Sequence, residues 1–151
     1  MWISRRTDYA TRAVLALAVA DGGPLKLDQL AELADAPRSV LEQVMPILRT
    51  AGIVRSTRGP GGGYRLNRPA EELTLERVVR LFQGQLAPIG YATRRNPDPA
   101  PPLVASSLLP VWQDVRDATI EILERTTFAT LAEHARAKQP RRKKARTTTR
   151  G

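Results

Sequence analysis

The stretch "RGPGGGYRL", Arg58 to Leu66, decides how the surrounding segment folds: it packs four glycines and a proline into nine residues. The β-branched run "IVRST" (53–57) precedes it, and "GYRLN" (63–67) closes it. Two short strand-like runs around a Gly/Pro cluster are typical of a β-hairpin. Glycines allow positive φ in such a turn and leave no side chain between the backbone and an approaching surface. The stretch therefore predicts a hairpin with an exposed glycine loop.

Three helices are predicted before the hairpin. Ser4 caps the first, whose apolar residues recur at helical spacing until "DGGP" (21–24) stops it. The second runs through "LKLDQLAELADAP" (25–37), and the third, "RSVLEQVMPILRTAG" (38–52), ends at Gly52. The short turn between them is the spacing of a helix-turn-helix. The hairpin that follows is interpreted as its wing.

A wing with bare glycines can approach the narrow minor groove of DNA, and Arg58 and Arg65 flank the loop to meet the negative potential there. Two alternatives were weighed. A nucleotide-binding loop requires Gly-x-x-x-x-Gly-Lys-Ser/Thr before a helix, whereas here Tyr64 and a second strand follow. A hairpin without a partner needs only one or two glycines, so the excess favours a binding role.

The segments "MWISRRTDYATRAVLALA", "SVLEQVMPILRTAGIV" and above all "RGPGGGYRL" resemble the Rrf-two family of bacterial transcription regulators. The resemblance is close over about residues 1–84 and looser through "LLPVWQDVRDATIEILERTTFATLAE" (108–133). It implies a mainly α fold with a small β-hairpin wing, a winged helix-turn-helix followed by a long C-terminal dimerisation helix. It also implies a homodimer that binds a near-palindromic operator in double-stranded DNA, often with an iron–sulfur cluster as the sensor.

The third helix supplies the candidate base-reading residues. Arginine suits guanine, glutamine suits adenine, and glutamate accepts from the amino group of cytosine. By resemblance, Ser39 and Glu42 match positions that approach bases, and Arg58 matches the wing arginine that enters the minor groove. For each, a solvated surface is the alternative. The predicted DNA-binding set is Arg5, Arg6, Arg38, Ser39, Glu42, Gln43, Arg58, Gly59, Pro60, Gly61, Gly62, Gly63, Tyr64 and Arg65, with Arg5 and Arg6 as phosphate contacts.

Pro46 lies inside this third helix. It removes the hydrogen bond to the Glu42 carbonyl and costs about 3 kcal/mol in an unconstrained helix interior. It falls opposite Val44 and Ile47 on the helical wheel, so we expect it to face solvent. The predicted base-reading turns precede it.

The second half of the chain is predicted to hold a helix over "TLERVVRLFQG" (74–84), capped by Thr74, and a proline-rich loop over 85–107. A helix from Leu108 to Leu123, with Pro110 near its start, is apolar on more than one side and so needs more than one partner. Thr130 and Glu133 predict a capping box for a short final helix. The predicted dimer interface is Leu108, Val111, Trp112, Val115 and Ile122.

These elements predict four regions: a winged helix-turn-helix domain (1–84), the loop (85–107), the dimerisation and final helices (108–137), and a tail (138–151). The net charge is +9, and the tail holds seven Lys or Arg and no Asp or Glu. Such a tail is expected to be disordered, either solvated or binding a polyanion. No apolar run reaches the length of a membrane span and no signal-peptide pattern begins the chain, so a cytoplasmic protein without a membrane partner is expected.

Cofactor chemistry is restricted because the chain has no cysteine and a single histidine, His134. Cluster-binding relatives carry three cysteines in the segment that corresponds to 85–107, and this chain has none there. A thiolate-held cluster or metal is therefore not expected. Regulation would come from a small molecule, a protein partner or protein abundance. Tyr91, Arg94 and Arg95 could meet an anionic ligand, with a merely disordered loop as the alternative.

The sequence therefore predicts a sequence-specific transcriptional regulator, with repression as its expected output. An enzyme is not expected, because no carboxylate pair, Ser/His arrangement or metal-ligand cluster is evident. Two alternatives remain open: a protein-interaction module or partner-controlled regulator in which DNA contact is secondary, and a protein that coats DNA without reading its sequence.

Overall fold

The computed structural model describes residues 3–86, 92 and 102–138. Within those residues the chain forms six α-helices, one antiparallel strand pair and one short 3₁₀ turn. The elements are α1 (Arg5–Val19), α2 (Leu27–Ala34), α3 (Arg38–Thr50), β1 (Val54–Thr57), β2 (Gly63–Leu66), the 3₁₀ turn (Ala70–Glu72), α4 (Leu75–Gln83), α5 (Leu103–Arg125) and α6 (Phe128–Lys138). The predicted mainly α fold with a β-hairpin wing is confirmed.

Helix α1 lies at the centre of the core. Its N-cap is Ser4, as predicted, and the Ser4 hydroxyl accepts a hydrogen bond from the Thr7 amide at 3.1 Å. Its buried residues are Thr7, Ala10, Ala13, Val14, Ala16, Leu17 and Ala18. Because most of these side chains are small, helices α2, α3, α4 and α6 can all pack closely against α1.

The start of α1 is fixed on the end of α4. The Thr7 hydroxyl donates to Oε1 of Gln83 at 2.7 Å, and the Ser4 amide donates to the same oxygen at 3.2 Å. Thr7 is fully buried, so this bond satisfies a polar group that water cannot reach. The first turn of α1, which carries Arg5 and Arg6, therefore has a fixed position against α4.

Helices α2 and α3 meet through a turn of three residues, 35–37. Asp35 adopts the left-handed conformation with φ +47°, and the Ala36 amide donates to the Ala31 carbonyl at 3.0 Å. The buried residues of the two helices are Leu30, Ala34, Leu41, Val44, Met45 and Leu48. Pro46 lies inside α3 on the exposed side, as predicted, so its missing N–H falls on the solvent face of the helix.

The end of α3 leads directly into the hairpin. Gly52 has φ +70°, its amide donates to the Arg49 carbonyl, and the Ile53 amide donates to the Leu48 carbonyl, both at 3.0 Å. This pair of bonds is the Schellman motif, which requires a left-handed residue where the helix stops. The predicted C-terminal role of Gly52 is confirmed, and β1 begins two residues later.

Strands β1 and β2 pair in the register Val54↔Leu66, Arg55↔Arg65, Ser56↔Tyr64 and Thr57↔Gly63. Because side chains alternate across a strand, Arg55 and Arg65 share the hairpin face opposite to buried Val54. Leu25 extends the pairing through two backbone bonds with Tyr64, at 2.8 and 3.0 Å. The contribution of Leu25 was not predicted.

Helix α4 has the predicted cap and end, since the Thr74 hydroxyl accepts from the Arg77 amide and Gly84 follows its last residue. The predicted start of the next helix is wrong. Helix α5 begins at Leu103, five residues before Leu108, so Pro110 lies inside it rather than in its first turn. Pro102 stands at the N-cap instead, and the Ser106 amide donates to its carbonyl at 2.8 Å.

The predicted cap of the last helix is also wrong. The Thr127 hydroxyl accepts from the Thr130 amide at 3.2 Å, so Thr127 caps α6 three residues before the predicted position. Phe128 and Ala132 are buried in the same core cluster as α1. Arg136 donates to the Ala18 carbonyl at 2.7 Å, which satisfies a carbonyl in the last turn of α1. Helix α6 therefore completes the core of the winged domain.

Three predicted features lie outside the described residues: most of the loop that follows α4, its Tyr91, Arg94 and Arg95, and the basic tail beyond Lys138.

Candidate nucleic-acid interface

The first two turns of α3 present a polar surface. Arg38, Ser39, Glu42 and Gln43 are all exposed, while Leu41 between them is fully buried and anchors the helix. The structure therefore brings the four predicted base-reading residues together on one exposed surface. Base edges in the major groove are read by side chains presented in this way at the start of a recognition helix.

Arg38 is held between two carboxylates on this surface. Its Nη1 pairs with Oδ1 of Asp28, at the start of α2, and its Nε donates to Oε1 of Glu42 at 3.0 Å. These hydrogen bonds, first to Asp28 and then to Glu42, raise the pKa of Arg38 above its ordinary value. The sequence predicted Arg38 and Glu42 as separate readers, whereas the structure pairs them. It also adds Asp28, which sequence spacing alone could not place beside α3.

The wing tip is the second exposed surface. Arg58, Gly59, Pro60 and Gly61 are exposed, with Gly59 at φ +99°. The Gly62 amide donates to the Gly59 carbonyl at 3.0 Å and closes the turn. Arg58 has no ion pair within the described part of the chain. An unpaired guanidinium beside bare glycines is suited to a narrow groove lined with phosphates.

The hairpin itself explains most of the glycines. A Cβ on Gly62 would lie 2.1 Å from the Thr57 carbonyl oxygen, and one on Gly63 would lie 2.7 Å from the Leu25 carbonyl oxygen. Only glycine fits at these two positions. The predicted excess of glycines over structural need therefore reduces to Gly61, which has open space and no positive φ.

Tyr64 and Arg65 are not on the wing tip. Both are half-buried in β2, and Tyr64 packs against the hydrophobic core. Arg65 lines a pocket at the foot of the hairpin, together with Leu17 at the end of α1. The structure therefore separates these two residues from Arg58, although the sequence grouped all three.

Arg5 and Arg6 are exposed at the start of α1, and the Arg6 guanidinium lies 5.8 Å from the centre of the Phe82 ring. Arg5 lines an open groove of about 760 Å³ between α1 and the α2–α3 turn. Arg12 lines the same groove and pairs with Asp8 at 2.8 Å. Sequence reasoning missed Arg12, whose position one turn after Asp8 was the available signal.

Helix α5 carries an exposed apolar stripe, which we call the α5 seam. It consists of Val104, Leu108, Val111, Val115, Ala118 and Ile122, all exposed. Their spacing alternates between four and three residues, the heptad pattern of a coiled coil. Four of the five predicted interface residues belong to the seam, and the fifth, Trp112, is half-buried beside it. No residue of α5 is buried, although the helix packs on α4.

None of the helices in the described part of the chain is long and apolar enough to cross a membrane.

A family model, Rrf2, described as an iron-dependent transcriptional regulator, matches residues 3–134. The donor set was therefore tested against iron. Iron–sulfur clusters are held by thiolates, and this chain has no cysteine. Its one histidine, His134, is exposed on α6, and the described residues contain no group of three His, Cys, Asp or Glu that could hold a metal ion. The residues present do not fit the iron chemistry that the family description names.

Relatives with established names match most of the chain. CymR of Bacillus subtilis, an HTH-type transcriptional regulator, is 30% identical over 140 residues, which cover 92% of this chain and 95% of CymR. The provisionally named HTH-type regulator Rv1287 of Mycobacterium tuberculosis is 36% identical over 133 residues, 87% of this chain and 81% of Rv1287.

The solved structure of B. subtilis CymR superposes with a TM-score of 0.74, covering 89% of this chain and 98% of CymR. The family and these relatives are regulators rather than enzymes. With the family model spanning residues 3–134 and the fold shared with CymR, this chain belongs to the Rrf2, or Rrf-two, family of winged-helix transcriptional regulators.

Proposed function

We propose that this chain reads a specific DNA sequence as a homodimer on a near-palindromic operator, represses transcription by occupying that operator, and needs no iron–sulfur cluster. One observation carries the proposal. The first two turns of α3 expose Arg38, Ser39, Glu42 and Gln43, and the wing that follows exposes Arg58 at its tip. A recognition helix and a wing of this kind can read the major groove and contact the adjacent minor groove.

Specificity is assigned to α3. Glu42 accepts a hydrogen bond from the amino group of cytosine, and the Gln43 amide is suited to adenine. Arg38 keeps the Glu42 carboxylate in place through its Nε, while Asp28 holds the other end of the guanidinium. Base pairs that offer an acceptor where Glu42 needs a donor are rejected, because an unpaired carboxylate in the groove is costly.

Affinity is assigned to the other exposed cations. Arg58 enters the minor groove, and Arg5 and Arg6 contact phosphates from the start of α1. The hydrogen bonds from Thr7 and Ser4 to Gln83 support this role, because they fix the first turn of α1 against the rest of the domain. Phosphate contacts set the orientation of the protein on the duplex without reading sequence.

Dimerisation is assigned to the α5 seam. Its exposed apolar residues include Val104 at 76% and Val111 at 53% exposure, which is unfavourable for a lone helix in water. A second copy of α5 covers the seam by heptad packing. Two-fold symmetry then places two recognition helices about 34 Å apart, or a multiple of that distance, and requires a near-palindromic operator.

Repression needs only occupancy of a promoter, which a DNA-reading dimer supplies. Control of that occupancy is assigned to a ligand, a protein partner or protein abundance, because the chain has no thiolate to ligate a cluster.

The proposal is tested by selecting bound sequences from a random duplex library with the purified protein at physiological salt. Glu42→Ala and Arg58→Ala variants are selected in parallel. We expect a palindromic motif from the wild type, loss of one defined base preference in each half-site with Glu42→Ala, and weaker recovery of the same motif with Arg58→Ala. Wild-type protein that enriches no motif would contradict sequence-specific reading.

A further inference from the structure

Two arginines stand directly opposite each other in the wing hairpin. Arg55 of β1 pairs in register with Arg65 of β2, so their side chains lie on the same face. Like charges in directly opposed positions repel each other and weaken a strand pair. The hairpin carries this unfavourable pair at its foot, away from the wing tip that holds Arg58.

The pair borders a pocket of about 420 Å³. The pocket lies between the hairpin, the last turn of α1 and the segment 67–71, and Arg68 adds a third guanidinium to its lining. Asp21 and Glu71 line it as well. Its volume falls in the range typical of small-molecule sites and exceeds what a bare inorganic ion requires.

The three guanidinium groups lack partners. Nε of Arg65 is buried without any hydrogen bond. Within the described residues, neither Arg55, Arg65 nor Arg68 forms an ion pair, although two carboxylates line the same pocket. A buried, unsatisfied donor on a charged group is expensive and rare in folded proteins. An oxyanion between the arginines satisfies the donor and removes the repulsion.

We propose that this pocket, at the foot of the wing, binds a small phosphate-bearing molecule. The arginine fork matches phosphate oxygens in pairs, and three such forks suit a dianion. Asp21 and Glu71 select for hydroxyl groups on the remainder of the ligand, because carboxylates accept hydrogen bonds from hydroxyls and repel further negative charge. The class assigned is therefore a phosphomonoester of a polyhydroxylated small molecule.

The pocket is distinct from the proposed phosphate contacts with DNA at the start of α1. Leu17, on the pocket wall, lies about 18 Å further along α1 than Arg5. Arg58 lies three residues beyond Arg55, at the opposite end of the hairpin. A ligand at the foot of the wing touches both strands that carry Arg58, which makes the pocket a site from which DNA affinity can be controlled.

Isothermal titration calorimetry without DNA, in a buffer free of phosphate and sulfate, tests the site. The probes are inorganic phosphate, ribose 5-phosphate and ribose. We expect saturable binding of one ribose 5-phosphate per chain, weaker binding of inorganic phosphate and none of ribose. Arg68→Gln, at an exposed position, and Arg65→Gln should each weaken binding at least about tenfold. Far-UV circular dichroism and thermal melting establish that each variant is folded.

Arg49→Gln is the matched control, since Arg49 is an exposed arginine at the end of α3 outside this pocket, and it should bind as the wild type does. Absence of saturable binding by either phosphate probe overturns the proposal. Equal affinities for wild type, Arg65→Gln and Arg68→Gln overturn it as well. Loss of binding in Arg58→Gln alone would assign the ion to the wing tip and its DNA-phosphate contact instead. DNA reading by α3 can be intact in each of these cases.

Discussion

Nε of Arg38 lies 3.0 Å from Oε1 of Glu42, one turn further along α3, while Nη1 of the same guanidinium pairs with Asp28 on α2. Two of the donors of Arg38 are thus engaged before any DNA arrives. Arg38 is poorly placed to offer a fork to guanine, and Glu42 is held in one orientation. We therefore assign Glu42 as the reader and Arg38 as the residue that positions it.

Replacing Glu42 by alanine should relax the preference for one base pair in each half-site. The expected loss of discrimination is about 1–3 kcal/mol, the usual value for a single base contact. Fluorescence anisotropy with a set of singly substituted operators measures it. Glu124→Ala, an exposed glutamate on α5, is the control and should keep the full preference. An unchanged preference in Glu42→Ala would remove Glu42 from the readout.

Asp28→Asn tests the positioning role of Arg38. The substitution keeps the shape of the side chain but removes the charge that holds Nη1, so discrimination at the base read by Glu42 should fall, though less than in Glu42→Ala. Because Asp28 acts through Glu42, the double variant should match Glu42→Ala alone. Asp114→Asn on α5 is the control. Additive losses in the double variant would show that Asp28 acts independently.

Gly62→Ala should destabilise the hairpin. The added Cβ would meet the Thr57 carbonyl oxygen, and backbone cannot yield as a side-chain tip can. The free energy of unfolding should fall by about 1–3 kcal/mol in urea titrations. Gly61→Ala, one residue earlier in open space, should change it by less than about 0.5 kcal/mol. Equal stability of the two variants would show that the turn is not constrained as described.

Val111→Glu should disrupt the homodimer, because it places a charge in the middle of the α5 seam. The expected weakening is about 2–4 kcal/mol, as for a central interface residue, measured by sedimentation equilibrium. Glu124→Lys changes charge on the same helix outside the seam and should leave self-association unchanged. A wild-type chain that stays monomeric at micromolar concentration would sink the dimer, and a dimeric Val111→Glu variant would move the interface elsewhere.

Features with local signals were predictable from the sequence. The Ser4 and Thr74 caps, the Gly52 stop and the hairpin around Gly59 each rest on a few neighbouring residues, and each was found where expected. The two wrong helix starts had competing local signals. Pro110 was interpreted as a first-turn proline although Pro102 fills that role, and Thr130 was preferred to Thr127 because it forms a capping-box pattern with Glu133.

The remaining features depend on tertiary packing. Asp28 meets Arg38 because the α2–α3 turn brings two helices together, and no spacing along one helix contains that contact. Arg55 faces Arg65 because a closed turn sets the register of the hairpin. A register shifted by one residue would have placed one of these arginines on the other face.

The central claim is that α3 and the wing read DNA sequence without a cluster. It is tested most directly by the ratio of dissociation constants for a scrambled duplex and for the selected operator, measured by anisotropy at physiological salt with an iron chelator present. The account predicts a ratio of at least about 1,000, typical of specific DNA-binding proteins. A ratio near one would show that the chain binds duplexes through charge alone, and would contradict the account.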